Sequence, residues 1–194
     1  MPVTSPIASA RREQIVAAAI EVIASAGFAQ ASFARIAEHA GLSSTRLISY
    51  HFAGKTDLMS TVAATVVESI GTHVGRLVAA EGTARGQLHA YLRGVVGFIA
   101  ENRAQMVALQ AVFLAGAMDY DAGTEQEVIS PLEEILRRGQ ETGEFRAFDA
   151  TVMATTVQRS VDGLPFLLEA HPDLDLAAYG EELVTLFDLG TRAR

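Results

Sequence analysis

The chain has no cysteine, no tryptophan, only five prolines in 194 residues, and no apolar run near the ~20 residues a membrane-spanning helix needs. Without cysteine there is no disulfide, thiolate metal site, iron–sulfur cluster or cysteine nucleophile. Scarce proline and a 49% hydrophobic content exclude the collagen-like, low-complexity and disordered classes. The opening residues, MPVTSPIASARR, lack the basic start and apolar stretch of a secretory signal, so a cytoplasmic protein with no membrane partner is expected. Catalytic signatures are missing as well. There is no G-x-S-x-G or P-loop, and the five histidines (His39, His51, His73, His89, His171) form neither an i,i+4 pair nor an H-E-x-x-H. The sequence therefore predicts no enzyme, no metal site and no cofactor.

Charge is present but unevenly placed. The net charge of −8 argues by itself against a nucleic-acid partner, because phosphate contacts require Lys and Arg. Residues 1–58, however, hold five basic groups (Arg11, Arg12, Arg35, Arg46, Lys55) against four acidic ones, and the remainder holds ten against nineteen. Any anionic partner is thus expected at the N-terminal part.

Apolar residues recur at helical spacing almost throughout. Ile15, Ala19, Val22, Ile23 and Ala26 share a face of a first helix over about 10–26, ended by Gly27. Ser32 is placed to cap a second helix carrying Phe33, Ile36, Ala37 and Ala40 and stopped by Gly41. Ser43 is placed to cap a third, through about Phe52, with Leu47, Ile48 and either Tyr50 or His51 inward. Thr56 is placed to cap a long helix bearing Leu58, Val62, Val66 and Ile70. Helices of about 84–101 and 103–118 follow; from Gly86 to Met118 the only charges are Arg93, Glu101 and Arg103, so burial on more than one face is expected. A polar loop at 119–123 precedes Ser130-Pro131-Leu132-Glu133, a capping box with proline at the first helical position, which marks a helix start. Asp149 caps a helix to about Ala170, interrupted at Asp162-Gly163-Leu164-Pro165, and Asp175 caps the last. No strand pattern of useful length is present. The fold class is all-α.

Residues 33–52, FARIAEHAGLSSTRLISYHF, carry the functional signal. Ala37 is small enough for two crossing helices to approach, Gly41 suits the left-handed turn, and Leu42 and Leu47 fill the space between the helices. This is a helix-turn-helix pattern, in which the second helix enters the DNA major groove.

The stretch resembles the TetR family of bacterial transcriptional regulators through Ser32, where the family usually has Thr, Ile36-Ala37, Ala40-Gly41-Leu42-Ser43, Tyr50-His51-Phe52, Lys55 and Asp57-Leu58. The motif match covers residues 11–58; beyond it the resemblance is one of helical layout. It implies a helix-turn-helix DNA-binding domain over 1–55 and an all-helical ligand-binding and dimerisation domain over 56–194. It further implies a homodimer that acts mainly as a repressor and is released by a small-molecule effector. One residue more than usual lies between the turn and the Tyr-x-His-Phe-like ending. Ile48, Ser49 and Tyr50 therefore compete for the role of the family's phosphate-binding tyrosine, with Tyr50 favoured.

By their position on the second helix, Ser44, Thr45 and Arg46 are the candidates for reading bases, Arg46 by bridging guanine O6 and N7. Ser32, Ser43, Ser49, Tyr50, His51 and Lys55 are the candidates for holding phosphates or lying beside them. A near-palindromic double-stranded operator would suit a dimer formed by the helices of about 150–170 and 176–190. Phe98, Met106, Phe113, Leu114 and Met118 serve either as core or as the lining of an apolar effector pocket, with Gln110, Gln158 and Arg159 as polar anchors. The competing reading is a helical interaction or ligand-binding protein whose helix-turn-helix is scaffolding.

Overall fold

The computed structural model of the chain describes residues 6–118 and 122–193. Ten α-helices occur among them: α1 (Pro6–Ala26), α2 (Phe33–His39), α3 (Arg46–His51), α4 (Lys55–Ala79), α5 (Ala84–Glu101), α6 (Arg103–Leu114), α7 (Ala122–Glu141), α8 (Ala150–Asp162), α9 (Leu164–Ala170) and α10 (Leu176–Thr191). A 3₁₀ turn, Phe28–Gln30, follows α1. The described residues contain no strand, only one isolated antiparallel bridge between Phe145 and Arg192.

Two compact units result. One comprises the described residues of 1–68 and 103–119, the other those of 69–102 and 120–194. Packing thus cuts the chain differently from a functional division at residues 55 and 56. A helix boundary marks where the backbone turns, whereas a packing boundary marks which apolar faces meet.

In the first unit α1 packs against α2 and α6. Ile15, Ile23, Ile36, Ile48, Leu58, Met59 and Val62 form its fully buried centre. Ala26 lies outside that centre because it sits in the solvent-facing last turn of α1, just before Gly27 leaves the helix at φ +86°. In the second unit α5 packs against α7 and α10, and α7 against α8, around Leu88, Leu92, Leu132, Leu136 and Leu164. Helix α5 is buried on more than one face, as its low charge suggests, but α6 is not: Phe113 and Leu114 at its end are exposed.

Ionic contacts tie α5 to α10. The Arg85 guanidinium donates from Nε and Nη2 to the two carboxylate oxygens of Asp188 at 2.5 and 2.9 Å, and His89 Nε2 lies 3.0 Å from the same carboxylate. Farther along, Arg93 donates twice to Glu181, at 2.6 and 2.7 Å. The Glu144 carboxylate accepts from the backbone N–H groups of Ala84 and Arg85, satisfying two orphan donors of the first turn of α5. These N–H groups, that of Arg85 foremost, hold the Glu144 carboxyl below its ordinary range.

Local capping chemistry is realised where the side chain has an adjacent partner. Ser32, Asp149 and Asp175 accept from the N–H groups of Arg35, Val152 and Ala178 at 3.3, 3.0 and 3.0 Å. Three expected boundaries differ. Helix α4 begins at Lys55 rather than behind a Thr56 cap, with Asp57 reaching back to accept from the Ala53 N–H at 2.8 Å. Helix α3 begins at Arg46 rather than behind Ser43, because Ser44 Oγ accepts from the Arg46 N–H at 3.1 Å. Ser130-Pro131 starts no helix: α7 runs through it, and Pro131 is an interior residue. There the Ser130 hydroxyl donates backward to the Gln126 carbonyl at 2.5 Å, and Glu133 pairs with Arg137 instead of closing a box. The buried face of α7 extends from Ile129 through Leu132 to Leu136, so packing on both sides of the proline outweighs the hydrogen bond it removes. Of the expected loop at 119–123, residues 119–121 lie outside the described residues and 122–123 are helical.

Candidate nucleic-acid interface

Helix α2 ends in a backbone arrangement that only a left-handed residue completes. The Leu42 N–H donates to the Ala37 carbonyl at 2.8 Å and the Gly41 N–H to the Glu38 carbonyl at 3.0 Å, with Gly41 at φ +64°. This is the Schellman pattern, and glycine adopts that φ without a Cβ penalty. The chain then turns through Leu42–Thr45 into α3.

Helix α3 has six residues, and among its side chains Ile48 is the one fully buried. Phe52, just beyond its end, is buried too and adopts an extended backbone. Anchoring at Ile48 turns the opposite side outward. Ser43, Ser44, Thr45, Arg46, Ser49 and Tyr50 are all exposed, and Tyr50 is 81% exposed. Of the three residues competing for the tyrosine role, Ile48 points into the core, while Ser49 and Tyr50 are outward and Tyr50 is the aromatic one. His51 is half-buried, with its ring edge-on to that of Tyr50 at 5.1 Å. The inward aromatic at the end of α3 is therefore neither Tyr50 nor fully His51; Phe52 takes that place.

Two further candidates sit at helix starts. Ser32 is exposed, with its hydroxyl oxygen occupied as the cap of α2. Lys55 is half-buried: its ammonium donates to the Phe28 carbonyl at 3.1 Å and lies 4.7 Å from the centre of the Phe28 ring. One of its three N–H donors thus ties α4 to the turn after α1.

Arg12 is a site residue that the sequence pattern did not single out. From α1 its Nη1 donates to the carbonyl of His51 at 2.7 Å and its Nη2 to Thr61 Oγ1 at 2.9 Å, while its guanidinium stacks over the Phe52 ring at 4.2 Å. The one available signal was the Arg11-Arg12 pair inside a segment of near-zero net charge.

With this geometry in view, the relatives of the chain become informative. Residues 15–62 match the family model described as bacterial regulatory proteins, tetR family. Over this segment the chain is similar to the DNA-binding part of that family. A curated relative, the HTH-type transcriptional regulator BetI 1 of Chromohalobacter salexigens, is 38% identical over 66 residues, which are 34% of this chain and 32% of that protein. The match spans about a third of the relative's length. Solved structures extend the likeness of fold to nearly the whole chain. A bacterial regulatory protein in the tetR family from Rhodococcus RHA1 superposes with a TM-score of 0.76 at 20% identity, covering 98% of this chain and 100% of that one. AibR, solved in complex with isovaleryl coenzyme A and operator DNA, superposes with a TM-score of 0.74 at 16% identity, covering 91% and 97%. The all-α TetR-like architecture is thereby shown.

The effector candidates divide between the two units. In the first, Met106, Gln110 and Met118 are half-buried, Phe113 is exposed and Leu114 is 66% exposed. Gln110 Oε1 is buried with no hydrogen-bond partner among the described residues. In the second, Phe98 is buried with its ring 5.7 Å from that of His73. Gln158 accepts from the Tyr91 hydroxyl and donates to Asp162 at 2.6 Å, and burial pushes the Tyr91 hydroxyl above its ordinary range. Arg159 is exposed and paired with Glu125 and Asp162. Each unit also carries a shallow hollow: one is lined by Gln14, Glu21, His39 and Gln105 among others, the other by Arg93, Val96, Gly97, Ala177 and Glu181 among others. No effector candidate lines either hollow. Among the described residues no three His, Asp or Glu side chains are grouped to hold a metal ion, and no helix is long and apolar enough to cross a membrane.

Proposed function

We propose that the protein is a transcription regulator that binds double-stranded DNA through α3 and acts by binding rather than by catalysis. The observation that carries this reading is the row Ser43–Arg46, Ser49 and Tyr50, all outward on a short helix fixed from behind by the buried Ile48, within the segment that matches the family model. Ser44, Thr45 and Arg46 face the base edges, where a guanidinium bridges guanine O6 and N7. Ser32, Ser43, Ser49, Tyr50, His51 and the free donors of Lys55 meet the backbone phosphates.

The functional division falls at residues 55 and 56, with DNA binding before it and effector binding and dimerisation after it. Exposed Val152 on α8, Phe166 on α9, and Leu186 and Leu189 on α10 supply apolar surface for a homodimer. A two-fold dimer calls for a near-palindromic operator whose half-sites lie about one helical turn, ~34 Å, or more apart. A small and mainly apolar effector releases a repressor by binding better to the arrangement that does not fit the operator. The unsatisfied Gln110 Oε1 favours an effector with a hydrogen-bond donor. That AibR was solved with both an acyl coenzyme A and operator DNA is in keeping with such a pairing of ligands.

The test is selection of bound duplexes from a random library, followed by anisotropy titrations of the enriched sequence at several salt concentrations. A palindrome with steep salt dependence is expected, since each neutralised phosphate releases counterion. Arg46→Ala should relax the preference at one position per half-site while leaving the salt slope nearly unchanged. Failure of the wild-type protein to enrich any duplex, with or without candidate effectors, would favour the interaction-protein reading.

A further inference from the structure

We propose that Arg12 is a positioning residue for DNA recognition, a clamp that fixes the C-terminal end of α3 against α1 and α4 and thereby sets the angle at which the recognition row is presented. The inference rests on the reading that α3 meets DNA, and it concerns a residue outside the stretch matched by the family model.

A six-residue helix has almost no interior. Its last carbonyls lack partners within the helix, and its side chains supply one fully buried anchor, Ile48. A single anchor is a pivot, about which a rigid helix can still swing. Arg12 adds a second point of attachment near the other end. Its Nη1 takes the His51 carbonyl at 2.7 Å, where a cation is also favoured by the helix dipole, and its planar face covers Phe52 at 4.2 Å. Its Nη2 reaches Thr61 Oγ1 on α4 at 2.9 Å, and the Thr61 hydroxyl proton is directed to the Asp57 carbonyl at 2.8 Å, which leaves the oxygen free to accept. One side chain thus joins α1, the end of α3, and α4. Lysine cannot replace it, because an ammonium has no planar fork to bridge two acceptors while stacking on a ring.

Two N–H donors of the Arg12 guanidinium and one of its faces are engaged within the protein, which separates this role from a phosphate contact. Loss of a phosphate contact weakens every sequence alike and lowers the slope of log K against log salt by ~0.9. Loss of a clamp leaves the slope intact and erodes the margin by which the operator is preferred.

The experiment compares the full-length wild-type protein with Arg12→Gln, Arg12→Lys and Thr61→Val, using the selected duplex and a scrambled duplex of equal length, well below each variant's melting temperature. Arg12→Gln should lose about 10- to 100-fold in operator affinity, the scale of a hydrogen bond to a charged group. Its affinity for the scrambled duplex and its salt slope should match the wild type. Arg12→Lys should recover little of the loss. Thr61→Val removes one arm of the clamp without altering α1 or α3, and should show a smaller drop in the operator-to-scrambled ratio even if Arg12→Gln fails to fold. An unchanged ratio in Thr61→Val and in every folded Arg12 variant would overturn the clamp, and a uniform loss with a shallower slope would make Arg12 a phosphate contact instead. Wild-type protein that binds no duplex would overturn the DNA-binding reading and the clamp together.

Discussion

Gly139 sits inside α7, where helix propensity and packing make opposite predictions. Alanine in place of glycine in an open helix stabilises by about 1 kcal/mol. At Gly139, however, an added Cβ would lie 2.1 and 2.4 Å from Cδ2 and Cε2 of the Phe145 ring, far inside van der Waals contact. The ring has little room to retreat. Phe145 is buried, its N–H donates to the Gly139 carbonyl at 2.9 Å, and the next residue donates to the Thr191 carbonyl at 2.9 Å. Overpacking of a filled core costs typically about 1–3 kcal/mol, and a clash this deep belongs at the upper end. Packing therefore wins, and Gly139→Ala should destabilise by a net ~1–2 kcal/mol, lowering Tm by roughly 2–8 °C for a chain of this length. Gly75→Ala in α4 is the control. A Cβ there meets nothing within 4 Å, so the propensity gain stands alone and Tm should rise by about 2–4 °C. Thermal melts followed by far-ultraviolet circular dichroism measure both, and Gly139→Ala combined with Phe145→Leu should recover part of the loss. A Tm for Gly139→Ala equal to or above wild type would refute the reasoning, because it would mean that the ring yields at no cost.

Gly41→Ala should show the milder effect of backbone strain without a clash: a left-handed residue costs about 1–2 kcal/mol, partly offset by reduced freedom of the unfolded chain, and Gly41→Asn should cost less. A Gly41→Ala protein as stable as wild type would contradict the left-handed turn. Asp188 is held below the ordinary carboxylate range, first by the hydrogen bond from Arg85 and, against the opposing effect of burial, by His89. A depressed folded-state value means that its contribution is complete above the unfolded value of about 4 and is lost as pH falls through the lower folded value. Asp188→Asn should therefore destabilise at neutral pH and flatten the fall in stability below about pH 4. Parallel stability–pH curves for the two proteins in denaturant titrations would show that the Arg85–Asp188 pair contributes nothing to the acid limb.

The sequence alone determined whatever depends on neighbours along the chain. The caps at Ser32, Asp149 and Asp175 each satisfy an N–H three residues on, and Gly41 ends α2 by a backbone conformation that other residues avoid. These are short-range rules, and they were enough to place the helix-turn-helix and the all-α class. Tertiary structure decided what distant residues negotiate. Pro131 lies within α7 because Ile129, Leu132 and Leu136 bury one continuous face, a gain that no local pattern displays. Arg12 reaches His51 and Thr61, 39 and 49 residues away, and Lys55 turns inward to Phe28; sequence shows the charges of these groups but not their partners. Tyr50 rather than Phe52 faces outward because the core accepts Ile48 and Phe52 together, which places Ser49 and Tyr50 on the solvent side. Hydrogen bonds close in sequence are chosen by the chain itself, while burial is chosen by whichever surfaces the whole fold brings together.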